Sequence, residues 1–128
     1  MPTSPPLTRL VTTDLNLLIT PSQWQKLLPT LAQPLAAVGF AVTRIDSAEI
    51  SLTCEPDNML VNQFEQLEGR CPTAEVLHRV LIFGTTALSL VDATGAVVRL
   101  LPAGTYWYGT TIDGELDSHG VATCAWRG

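Results

Sequence analysis

Four side chains near the C-terminal end have the types and spacing of a chemical site. In the stretch TIDGELDSHG, Asp113, Glu115, Asp117 and His119 recur at every second position. On an extended strand alternate side chains leave from the same face. Three carboxylates and an imidazole would then converge, and such a set can ligate a hard divalent cation or accept a substrate proton. The same alternation also has a plainer use, because acids along an edge strand keep it solvated and discourage pairing with other chains. Asp113-Gly114 is moreover a turn dipeptide, which would break the alignment. The solvated edge is therefore the expectation. The four residues stand as candidates for contact with a ligand or partner, with no metal, cofactor or catalytic role assigned.

Three further groups carry possible chemistry. Tyr106, Trp107 and Tyr108 are consecutive; in a strand the two tyrosines share a face on which a partner or ligand can stack, and Trp107 takes the other face, expected in the core. Cys71 precedes Pro72, and a helix N-terminus there would lower the thiol pKa and make a nucleophile that His78 or His119 assists. No spacing ties the cysteine to either histidine, so a buried thiol is the simpler reading. His78-Arg79 would place one basic group on each face of a strand, as a structural pair.

Composition limits what these groups can serve. The net charge of −5, with seven Lys and Arg scattered singly and a pI near 4.7, does not suit a surface that tracks phosphates, so nucleic acid is excluded as an expected partner. Hydrophobic residues make up 46% and charged residues only 15%, and the mean hydropathy is +0.25. That is more apolar side chain than a small monomer easily hides, which points to contact with another chain. The cysteines Cys54, Cys71 and Cys124 are odd in number and widely spaced, so reduced thiols are expected rather than a disulfide framework or zinc site. MPTSPPLTRL lacks a charged region followed by an apolar run, and no stretch has the length of a membrane span. The expectation is a cytoplasmic protein with no membrane partner.

The elements that must position these residues can be read in order. Residues 1–6, rich in Pro, Ser and Thr, are expected to form a disordered leader, and 7–128 a single α+β domain. Leu15, Leu17 and Ile19 alternate with more polar neighbours, predicting an edge or partly exposed strand between Leu7 and Thr20. Thr20, Pro21 and Gln23 have the pattern of a capping box with proline in the first turn, so a helix begins there. Its apolar stripe of Trp24, Leu27, Leu28, Leu31, Leu35 and Val38 runs to Gly39, with Pro29 and Pro34 inside it, which predicts a kinked or split helix. Phe40–Ile45 and Glu49–Thr53 read as a hairpin around Asp46-Ser47-Ala48. A second short helix follows over Asn58–Glu68.

The stretch Val76–Tyr108 reads as a strand meander. Val76–Phe83 admits a strand or a short helix closed by Gly84, with the strand favoured. Ala87–Leu101 reads as a hairpin turning at Asp92-Ala93-Thr94-Gly95. The fold class is thus α+β: an antiparallel sheet of about five to seven strands, mostly from the C-terminal half, with two short helices packed on one face. Two functions fit. One is a non-catalytic interaction module, such as an adaptor, assembly factor, inhibitor or small structural subunit, acting through an apolar sheet face or edge as a homodimer. The alternative is a small-molecule-binding domain or small enzyme with its pocket between the sheet and the N-terminal helix, the Asp113–His119 acids and the tyrosines at its mouth.

Overall fold

The computed structural model describes residues 7–50, 59–69 and 75–115. In chain order these form β1 (Arg9–Ile19), α1 (Pro21–Leu27), a 3-10 turn (Leu28–Thr30), α2 (Ala32–Ala37), β2 (Phe40–Glu49), α3 (Met59–Glu68), β3 (Val76–Thr86), α4 (Leu90–Val98) and β4 (Tyr106–Asp113). The strands make one antiparallel sheet in the order β2-β3-β1-β4. The α+β class expected from the sequence is therefore present, with four strands among the described residues where five to seven were expected.

β1 is central rather than an edge strand. It pairs with β3 from Arg9 opposite Thr86 to Ile19 opposite Val76, and with β4 on its other side. Its alternation then sends side chains into two separate cores. Val11, Leu15, Leu17 and Ile19 join Val80 and Ile82 of β3 beneath Trp24, Leu31, Leu35, Ala93, Ala96 and Val97, so α1, α2 and α4 cover this face. Leu18 and Leu77 face the other way and meet Leu60, Val61 and Phe64 of α3. Helices thus pack on both faces of the sheet, not on one. Each aliphatic side chain buried this way contributes about 1.5–3 kcal/mol.

The first helical stretch follows the sequence. The Thr20 hydroxyl accepts from the Gln23 N–H, and the Gln23 side chain returns to the Thr20 N–H, closing the capping box. Pro29 falls in the 3-10 turn that splits α1 from α2, because a proline nitrogen donates no helical hydrogen bond. Gly39 ends α2 with φ 96°, a conformation that favours glycine. The second helix is α3, within the expected span, and Val76–Phe83 is strand.

Two expected hairpins are replaced by other elements, for identifiable reasons. The hairpin expected around Asp46-Ser47-Ala48 is one continuous strand, β2, held along β3. Asp46 forms an ion pair with Arg44, and Ser47 accepts a hydrogen bond from the Trp24 indole at 3.1 Å, so residues that suit a turn are satisfied in the pleat. The irregularity in β2 lies earlier, where Thr43 is an extra residue between Val42 and Arg44. That bulge exchanges the faces of the alternating pattern and lets Phe40 and Ile45 reach the same core.

The hairpin expected over Ala87–Leu101 is instead the helix α4. Ser89 caps it by accepting the Asp92 N–H, and Asp92 sits in the first turn, where a carboxylate is favoured by the helix dipole. Ala93, Thr94, Ala96 and Val97 are its buried residues, a helical spacing. Thr94 is received by a hydroxyl chain. It donates to the Leu90 carbonyl at 3.1 Å and lies 2.8 Å from Thr111 Oγ1, which lies 2.7 Å from Thr13 Oγ1. A carbonyl can only accept, so the protons run from Thr13 to Thr111 to Thr94 to Leu90, and three buried hydroxyls are satisfied together.

No helix among the described residues is long and apolar enough to cross a membrane. The expected leader at residues 1–6 and all three cysteines lie outside the described residues.

Candidate functional site

β4 carries Tyr106, Trp107, Tyr108 and Asp113 of the residues singled out in the sequence. Gly104, with φ 82°, and the Thr105 N–H to Pro102 carbonyl bond turn the chain out of α4 and into this strand. Pairing with β1 places Tyr106 opposite Leu18 and Tyr108 opposite Asn16, so both tyrosines share the α3 face, as alternation requires. Tyr106 packs edge-on against Phe64, with centroids 5.5 Å apart and an interplanar angle of 86°. Its hydroxyl donates to Glu68 Oε2 at 3.2 Å. Desolvation of the phenol, then its hydrogen bond to Glu68 and the charge of that carboxylate, raise the Tyr106 pKa above the ordinary value. Tyr108 is half-buried against the same apolar cluster.

Trp107 corrects an expectation. It projects from the opposite face and is 37% exposed, among the large hydrophobic side chains left open to solvent. β4 lies at the end of the sheet, so the side of Trp107 away from β1 has no neighbouring strand among the described residues to bury it.

The two described acids of this stretch, Asp113 and Glu115, do not meet in one site. Asp113 ends β4 and takes a hydrogen bond from Arg9 Nε at 2.7 Å. Gly114 then turns the chain with φ 88°, its N–H bound to the Leu10 carbonyl and its carbonyl accepting from the Thr12 hydroxyl. Beyond the turn, Glu115 comes to 3.9 Å from Arg44. Asp113 and Glu115 thus face different arginines, from opposite sides of the turn that the Asp-Gly pair predicted. Asp117 and His119 lie outside the described residues. No group of three His, Cys, Asp or Glu side chains able to hold a metal occurs among the described residues.

The structure also assembles a group of residues that the sequence did not single out together. Between α1 and the β2–β3 pair lies a cleft of about 150 Å³ lined by Pro21, Trp24, Gln25, Ser47, Glu49 and His78. Glu49 lies directly opposite His78 in the register, and Ser47 is two residues along the same face. His78 is 3% exposed, with Nδ1 2.8 Å from the Val76 carbonyl and its ring 6.2 Å from that of Trp24. Among the described residues expected at the mouth of such a pocket, Tyr106, Tyr108, Asp113 and Glu115 do not line it. Tyr106 instead borders a wider cleft of about 400 Å³ on the other side of the sheet, beside Phe64, Glu68 and the Pro102–Thr105 turn. The cross-strand register brings Glu49 and Ser47 to His78, and the packing of α1 on these strands adds Trp24.

The chain matches no protein-family model, no curated protein and no solved structure.

Proposed function

We propose that this protein is a non-catalytic interaction module that self-associates as a homodimer through the outer edge of β4. The observation that carries this is a contrast between the two edges of the sheet that the described residues form. β2 has a bulge at Thr43 and carries Arg44, Asp46 and Glu49, devices that keep an edge strand from recruiting another chain. β4 runs eight residues as YWYGTTID; its single charge, Asp113, is at its end and already paired with Arg9. Aromatic and β-branched residues suit pairing, and Trp107 supplies exposed apolar surface beside it.

The partner best suited to this edge is a second copy. Two β4 strands running antiparallel about a two-fold axis continue the antiparallel sheet and oppose no like charges along their middle. The high apolar and low charged fractions of the chain support the same reading. Sedimentation velocity over a wide concentration range tests it. A dimer is expected, and Thr110→Lys, at an exposed position of β4, is expected to return a folded monomer. A strict monomer at every concentration overturns the proposal.

The second reading, a small-molecule-binding domain with its pocket between the sheet and α1, is favoured by the cleft beside His78.

A further inference from the structure

We infer that the cleft between α1 and the β2–β3 pair binds a small primary ammonium ion, with His78, Glu49 and Trp24 as its recognition groups. This deepens the second reading and is independent of the β4 edge. The argument begins with the tautomer of His78. The Val76 carbonyl can only accept, so the 2.8 Å contact requires the proton on Nδ1. In the neutral ring Nε2 then holds a lone pair, and among the described residues no group donates to it. A side chain that is 97% enclosed yet keeps an unused acceptor beside a cleft is built to receive a donor.

The rest of the lining specifies which donor. Glu49 places a carboxylate across the strand pair from His78, and Gln25 offers an amide oxygen. Among the described residues no Lys or Arg lines the cleft. An anion would meet Glu49 without any compensating cation, whereas an ammonium finds a carboxylate and neutral acceptors for its three N–H donors. Trp24 adds an aromatic wall, its orientation held by the Nε1–H bond to Ser47, and such a wall favours a cation. The size follows from the volume. A cavity of about 150 Å³ holds a molecule near the size of benzene, roughly six heavy atoms.

n-Butylammonium chloride is the probe, with n-butanol and sodium butyrate as controls of matched size. The full-length protein is titrated while the ¹⁵N resonances of His78 and of the Trp24 indole are followed. Saturable shifts of both with butylammonium, and neither with butanol or butyrate, are expected. Glu49→Gln, an exposed substitution, should leave the fold intact and weaken binding about tenfold, the loss of one charge-assisted hydrogen bond. Butanol or butyrate binding as well as butylammonium overturns the ammonium assignment while leaving a pocket. Unmoved His78 and Trp24 signals with all three compounds overturn both the assignment and the pocket reading.

Discussion

Asp14 and Arg79 meet in a two-pronged ion pair across the two central strands, Arg79 Nε to Asp14 Oδ1 at 3.1 Å and the terminal nitrogen to Oδ2 at 2.7 Å. Arg79 lies opposite Asn16, so Asp14 is its diagonal neighbour on the α3 face. The side chains are 14% and 24% exposed, which puts the pair between a surface bridge and a buried one. Removing one partner strands the other in a half-dry setting.

Asp14→Asn or Arg79→Met alone should therefore cost about 2 kcal/mol in urea unfolding. The double substitution should cost less than the sum of the two, because no unpaired charge remains. Additive losses would mean that the two groups are independently solvated and the fork contributes nothing.

Gly109 is required by the closeness of β4 to β1. A Cβ at this position would run into the Asp14 carbonyl oxygen and lie 2.8 Å from Leu15 Cα, and the residue has φ 153°. Gly109→Ala should cost about 3 kcal/mol or more and release β4 amides to hydrogen exchange before those of β3. Gly104→Ala is the comparison, since a Cβ there meets open space and only its positive φ is strained, for about 1 kcal/mol. Equal losses in the two variants would remove the steric argument.

The raised pKa of Tyr106 predicts an alkaline signature. An acid whose pKa is raised in the folded state holds its proton more tightly there than in the unfolded chain. Its contribution is complete below the ordinary value of 10.0 and is lost as pH rises through the folded value. Phenolate absorbance should show a component titrating above that ordinary value. Tyr106→Phe should abolish this component and flatten the alkaline fall in stability. A late component that persists in Tyr106→Phe would assign it to the other tyrosine.

Local physics was readable along the chain wherever one element's own residues decide its form. The Thr20 capping box, the proline-split helix ended by Gly39, and the alternation of Leu15, Leu17 and Ile19 depend on neighbours three or four positions away or fewer, and each is found in the structure. The Asp113-Gly114 turn was legible for the same reason. So was the common face of Tyr106 and Tyr108, which strand geometry alone imposes.

Tertiary structure decided what those rules leave open. Leu90–Val98 carries β-branched residues and a turn-like Asp-Ala-Thr-Gly run, yet it is a helix, because Ala93, Ala96 and Val97 fill the core over β1 and Thr111 donates to the Thr94 hydroxyl. Burial of one helical face outweighs propensities worth a few tenths of a kcal/mol per residue, even with Gly95 costing about 1 kcal/mol. The place of β1 at the centre, the exposure of Trp107, and the meeting of His78 with Glu49 follow from strand order and register, and the meeting of His78 with Trp24 from the packing of α1 on the sheet. Those are set by contacts between residues tens of positions apart, which no local pattern encodes.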